Sequence, residues 1–400
     1  MKRELLKVWF LGLAFVGVVA CSDSDDSVAS GGDSDISKEA VVSNYSELVL
    51  ANYQDAYNDA QLLQVALEAL VALPTEATFE AAKGAWLVAR ESYGQTEAFR
   101  FSNGPIDDED GPEGLLNAWP IDENYIDYVN NDTDNATYSN GIINNTADYP
   151  TISKELLESL NEAVNEKSVS IGYHAIEFLL WGQDLTDASE KQSGLRAYTD
   201  YVTGDEGTNE NQERRGDYLI ACSELLIDHL QLMLNEWAVG GDYYVEFSEL
   251  EEDVAIGNVL SGIATFASGE LGGERISVAY NLVDQENEHS CFSDNTDRDI
   301  RLNLKGIANV LRGSYGNVSG DSLEDLITNE DAVVGAELTA ALLNAEIAME
   351  ATATPFDFAI SDESTRPVVL EAFNELVILG DAIVAGAGAL GITVSSELPE

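Results

Sequence analysis

The sequence predicts an all-α protein, two antiparallel helical bundles packed together and interrupted by long irregular loops. Three observations carry that prediction. Apolar residues recur at spacings of three and four through most of the 400-residue chain, as in Tyr45-Leu48-Val49-Tyr53-Ala56-Tyr57 and Leu62-Val65-Ala66-Ala69-Leu70. Strand-like alternation of apolar and polar residues is scarce. Proline occurs only 8 times, mostly in segments that already read as loops, such as Gly104-Pro105 and Trp119-Pro120.

In chain order, residues 1–20 read as a signal peptide. Lys2, Arg3 and Lys7 precede an apolar run from Val8 to Val19. That run is shorter than the roughly 20 residues a membrane span needs, and suits the apolar core of a signal peptide. It ends Val18-Val19-Ala20-Cys21. Small residues before a Cys resemble the lipobox of bacterial lipoproteins, with Val18 where Leu is usual. The resemblance implies that Cys21 is the lipidated N-terminus of the mature chain. It also implies an outer-membrane lipoprotein of the bacterial envelope, facing the periplasm or the surface. No other run approaches membrane-spanning length on this reading, so the chain is expected to be anchored rather than spanning. Residues 21–38, rich in Ser, Asp and Gly, read as a disordered tether.

Helical periodicity begins near Glu39. Pro74-Thr75-Glu76 reads as the start of a helix that continues from Phe79 to Phe99. Residues 212–238 form a long amphipathic pattern with Tyr218, Leu219, Cys222, Leu225, Leu226, Leu230, Met233 and Trp237 inward. Further helices are expected over 330–351 and 366–390. Two regions break the pattern. Residues 102–150 are rich in Asn, Asp and Gly, with aromatic anchors Trp119, Tyr125, Tyr128 and Tyr149. Residues 239–253 and 268–274 form the second break, marked by Gly240-Gly241 and Gly269-Glu270-Leu271-Gly272-Gly273. The polar run Gly204 to Asn209 suggests a boundary between an N-terminal bundle, 39–208, and a C-terminal bundle, 209–400.

Lys and Arg number 19 against 73 Asp and Glu, a net charge of −54. A surface that acidic repels phosphate backbones, which excludes nucleic acid as a partner, and it attracts cations. Loss of the signal peptide removes three basic residues and one acid, so the remainder is more acidic still. Of 3 Cys, lipidation of Cys21 leaves Cys222 and Cys291, which either pair in an oxidising compartment or stay as buried thiols.

The chain contains no His-Glu-x-x-His, Gly-x-Ser-x-Gly, phosphate-binding loop or zinc-ribbon cysteine spacing. What remains is Gly172-Tyr173-His174-Ala175-Ile176-Glu177. On a helix His174 and Glu177 share a face, and an imidazole and a carboxylate so placed can hold one metal. Taken alone, the pair reads more readily as a His bonded to its own Glu. Two further polar runs sit among apolar residues: Arg90 to Asp107, with Arg90, Glu97 and Arg100 near one stripe, and Asp284 to Thr296, with His289, Ser293 and Asp294. Each alone is compatible with a solvated face or a helix cap.

Together, GYHAIEFLLWGQD, QTEAFRFSNGPID, WPIDENYIDY and ERISVAYNLVDQENEHSCFSDNT resemble the imelysin family of bacterial envelope proteins, over roughly residues 40–385. The resemblance implies an all-helical, two-bundle fold with the site at the junction, a link to iron acquisition, and a metallopeptidase label. His174 and Glu177 match the family's metal pair. From residue type, Glu97 is a candidate third ligand, and Arg100, His289, Ser293 and Asp294 are candidate site residues. Three functions stay open. The first is binding of iron or an iron-bearing ligand. The second is a metallopeptidase using His174 and Glu177, with zinc as its metal. The third is a scaffold that docks an outer-membrane receptor without metal.

Overall fold

The computed structural model describes residues 36–108, 111–130 and 141–398. The expected signal peptide, Cys21 and nearly all of the tether lie outside the described residues. Among the described residues helices dominate, and the β-structure is one antiparallel hairpin pairing Ser314–Tyr315 with Val318–Ser319.

The first helix, Lys38–Ala72, starts where the Ser37 hydroxyl accepts the Ala40 N–H. A three-residue turn leads into the helix Glu76–Thr96. There Thr75 and Thr78 each accept the other's backbone N–H, closing two of the donors a helix start leaves open. These two helices lie against each other along their length. Their buried stripes are Leu48, Tyr53, Ala56, Ala60, Leu63, Leu67 and Leu70 on one, and Phe79, Ala82, Trp86, Ala89 and Tyr93 on the other. The inward face of the first helix therefore passes through Leu63 and Leu67. Leu62 and Val65, expected on it, are more than half exposed. The helix Gln212–Trp237 packs on the first helix and buries every residue expected of it.

The expected break at 268–274 is instead helix. The chain runs as α-helix over Glu252–Thr265, widens to π-helix over Phe266–Ser277 and returns to α-helix over Val278–Leu282. Glycine is a poor helix former but tolerates the wider turn. The region 239–253 likewise contains the helix Asp242–Glu249. Two helices, Glu252–Leu282 and Ala332–Glu350, are long and apolar enough to cross a membrane. That corrects the expectation that no run past residue 20 reaches that length. Both pack against the helix Arg366–Ala389. The apolar window of Glu252–Leu282 is 61% buried and that of Ala332–Glu350 is 39% buried, where Val333, Leu343 and Ile347 are more than half exposed.

One continuous core joins the first and second halves of the chain, including Trp86, Tyr173, Phe178, Tyr218, Phe266, Phe292, Ile307 and Leu376. The expected boundary at 208/209 falls in the turn before Gln212. The irregular region after residue 102 carries short helices at Glu113–Leu116, Glu123–Ile126 and Gly141–Asn144. Cys222 and Cys291 are both buried and unpaired.

Candidate functional site

The motif helix, Tyr173–Trp181, owes its position to the glycines at its ends. Gly172 precedes it at φ 88°, a left-handed conformation that side chains avoid. A Cβ there would lie 2.7 Å from the Leu116 carbonyl oxygen. Gly182 ends the helix at φ 69°. All nine residues between are buried, so His174 and Glu177 face the protein interior.

His174 Nδ1 lies 2.8 Å from Glu177 Oε2. The other carboxylate oxygen of Glu177 accepts the Ser293 N–H at 2.9 Å and the Ser293 hydroxyl at 2.6 Å. His174 Nε2, equally buried, has no hydrogen-bond partner. The rings of Trp119 and His289 stand edge-on to His174, at centroid distances of 4.9 and 4.7 Å.

His289 belongs to a second buried chain. Arg90 holds Asp299 in a two-pronged pair, Nε to Oδ1 at 3.2 Å and Nη2 to Oδ2 at 2.9 Å. Arg90 also donates to Asn117 Oδ1 at 2.6 Å, which turns the Asn117 amide nitrogen toward His289 Nε2 at 3.3 Å. His289 Nε2 is then the acceptor and Nδ1 carries the proton. That proton is directed at Asp299 Oδ2, 3.5 Å away, too far for a full hydrogen bond. Asp299 is further held by Ser290 and Asn295.

A third group adjoins the first two. Glu97, buried, pairs with Arg275, whose other nitrogens donate to Glu270 at 3.0 Å and Asn303 at 2.9 Å. Arg100 lies 3.9 Å from Glu97, 3.1 Å from Glu113, 3.2 Å from Asp107 and 3.5 Å from Glu270. Glu270 and Arg275 both come from the π-helical stretch. Arg100, Arg275, Glu113 and Glu270 line a cleft of about 340 Å³ together with Asn117, Trp119 and His289. The cleft therefore reaches His289, and the His174 ring stands behind it at 4.7 Å.

Burial sets the protonation of the site. It drives His174 well below the ordinary imidazole value, helped by His289 and Arg90. Burial, then Arg275, brings His289 down to about 4. Burial pushes Glu177 up to about 8, with the Ser293 bonds offsetting only part of the rise. Glu97 and Asp299 go the other way. Burial opposes their charge, but Arg275 and Arg100 hold Glu97 at about 2, and Arg90 holds Asp299 well below the carboxylate range. The His174–Glu177 pair thus has two states one proton apart. With the extra proton, Glu177 donates to Nδ1 and Nε2 carries a hydrogen. Without it, Nδ1 donates to the carboxylate and Nε2 offers a lone pair buried beside a cleft. That second state fits one metal bond, with Glu177 orienting the ring rather than coordinating.

Of the residues singled out from sequence, the structure joins His174, Glu177 and Ser293 in one hydrogen-bonded chain and sets His289 against His174. Glu97 and Arg100 lie in the adjoining charged network, where Glu97 is a charge neighbour of His289. Asp294 belongs elsewhere. Among the described residues, the threesome of possible metal-ligating atoms that converges is Asp184, Asp294 and Asp357, and Glu97 does not complete such a set with His174 and Glu177. Sequence reasoning missed Asn117, Asp299, Glu270 and Arg275. Asp299 and Asn303 were readable as polar residues four apart on the buried side of the helix Thr296–Arg312. Nothing local marks Asn117.

The family model described as Imelysin matches residues 49–383. Iron-regulated protein A of Synechococcus elongatus is 24% identical over 398 residues, covering 95% of each chain. A crystal structure from Parabacteroides distasonis, described as an iron-regulated protein A precursor, superimposes with a TM-score of 0.69 at 19% identity, covering 90% of this chain and 97% of that one. The family match spans most of the sequence and includes both halves of the site just described, and so this chain belongs to the imelysin family.

Proposed function

We propose that this protein serves iron acquisition in a bacterial envelope by holding iron, or an iron-bearing ligand, at the end of the charged cleft where His289 stands against His174. The observation that carries the reading is His174 Nε2, a fully buried nitrogen with no partner, in a ring fixed through its other nitrogen by Glu177 and Ser293. An unsatisfied buried imidazole is costly, and a bound ligand removes the cost. Imidazole and carboxylate donors suit iron. The cleft offers both signs of charge, Arg100 and Arg275 for anionic groups of a chelator and Glu113 and Glu270 for cationic ones. The names of the Synechococcus and Parabacteroides proteins support the same reading. The lipid anchor expected at Cys21 belongs to this proposal and would keep the protein at the membrane face.

The test is iron binding by chelator-stripped protein offered ferric citrate. Wild type is expected to retain one iron per chain. His174→Ala should lose it while keeping the wild-type circular dichroism and melting midpoint. Binding should weaken between pH 8 and pH 6, because a metal on Nε2 must displace the extra proton of the pair. Undiminished iron binding by His174→Ala would overturn the reading. Stoichiometric zinc together with peptide hydrolysis, lost in the same variant, would replace it with a metallopeptidase.

A further inference from the structure

Away from the cleft, four carboxylates converge without a counter-charge. Asp184 lies just beyond the motif helix, Glu288 and Asp294 flank the segment that carries His289 and Ser293, and Asp357 sits in the first turn of the helix Phe356–Ser361. Oxygens of Asp184, Asp294 and Asp357 all lie within 4.8 Å of one another. Asp184 accepts both the N–H and the hydroxyl of Thr186 on Oδ1, each at 2.9 Å, yet its Oδ2 is buried with no donor. Asp357 accepts the Phe358 N–H at 2.6 Å.

Glu288 is the independent sign that something is bound here. It is 1% exposed, and neither of its oxygens accepts a well-formed hydrogen bond. Its charged neighbours are Asp357, Asp294 and Asp184, all of its own sign. The Thr296 hydroxyl is the favourable contact; its oxygen accepts the Ser290 N–H at 3.0 Å and its hydrogen is left for Glu288. Lys191, a basic side chain of this neighbourhood, lies over the Phe358 ring at 3.7 Å. Among the described residues, no Lys or Arg forms an ion pair with any of the four carboxylates. Carboxylates taken out of water this closely are stable when they hold protons or when a cation lies between them, and a cation is the arrangement that lets all of them stay charged.

We propose that Asp184, Asp294 and Asp357, backed by Glu288, bind one hard divalent cation of the calcium type. The donors are all oxygens, which selects calcium or magnesium over softer metals. With calcium–oxygen bonds of about 2.3–2.6 Å, two ligands of one ion lie no more than about 4.6–5.2 Å apart, and these oxygens already meet that limit. The ion would tie together three segments far apart in sequence. One of them presents Ser293, next to Asp294, to Glu177, so the cation would also hold the loop that orients the His174 ring.

The experiment is calorimetric titration of EDTA-stripped, dialysed protein with calcium chloride and with magnesium chloride, alongside thermal melting. One ion per chain is expected, with a higher melting midpoint when it is bound. Asp294→Asn alone should weaken binding at least tenfold, and Asp294→Asn/Asp357→Asn should abolish it. In EDTA both variants should melt no lower than wild type, since each removes like-charge repulsion. His174→Ala should bind calcium as wild type does, which separates this site from the iron reading. The inference is overturned if neither ion binds stoichiometrically. It is equally overturned if folded Asn variants bind as wild type does, the behaviour of diffuse attraction to a net charge of −54.

Discussion

Arg90 and Asp299 are both fully buried, so each is the other's substitute for water. Breaking such a pair from one side leaves an uncompensated charge in the core. Asp299→Ala is therefore expected to cost about 3–5 kcal/mol in urea denaturation. A loss below about 1 kcal/mol would show that Asn117 and the rings of Trp86, Tyr93 and Tyr173 around Arg90 suffice to hold the guanidinium. The contrast with His174 is instructive. Asp299 receives donors from Arg90, Ser290 and Asn295, whereas His174 keeps one nitrogen unsatisfied at the same depth. The sequence places His174 on an apolar helix and Asp299 on an amphipathic one, and does not say which of the two will be satisfied. The difference lies in what the rest of the chain brings to each.

At the scale of elements, the motif helix depends on Gly172 more than on any helix propensity. With φ at 88° and the Leu116 carbonyl where a Cβ would go, Gly172→Ala must either strain the backbone or displace the Glu113–Leu116 turn. A cost of about 1–3 kcal/mol from backbone strain alone is expected in thermal or chemical unfolding. Iron binding should weaken as well, because Asn117 and Trp119 follow directly on that turn. A variant with wild-type stability would show that the loop gives way freely. The Gly-x-His-x-x-Glu spacing and the long helices were legible because both rest on local periodicity. The π-helical stretch was not legible. Gly269, Gly272 and Gly273 read as a break, and only packing against the helix Arg366–Ala389 keeps that stretch helical. Glu270 and Arg275, which it carries, were hidden with it. The face of the first helix was misjudged past Ala56, because Leu62-Val65 and Leu63-Leu67 fit the same period and only the partner helix chooses between them.

For the whole molecule, the acidic composition has a thermodynamic consequence inside as well as outside. Burial, as the leading cause, raises Glu113 to about 7 and Glu177 and Glu286 to about 8. In the unfolded chain the same groups lose their protons near 4.3. The folded state therefore holds more protons between those limits, and its stability falls as pH rises through them. The lowered histidines act oppositely but only below about 6.5, where unfolded imidazole becomes charged. Above that pH the acids act alone. The melting midpoint in EDTA is expected to fall steadily from pH 6.5 to 8.5, and a flat or rising profile would show that these carboxyls ionise normally. The site itself is assembled over long stretches of chain. Arg90 and Asp299 are 209 residues apart in sequence, and Glu97 and Arg275 are 178 apart. Closing such loops costs more entropy than forming the local helices, so these ion pairs are expected among the last contacts made. They then act chiefly as a latch. Disrupting Arg90–Asp299 should speed unfolding and leave refolding nearly unchanged, so the lifetime of the native state, more than its rate of formation, rests on the same side chains that build the site.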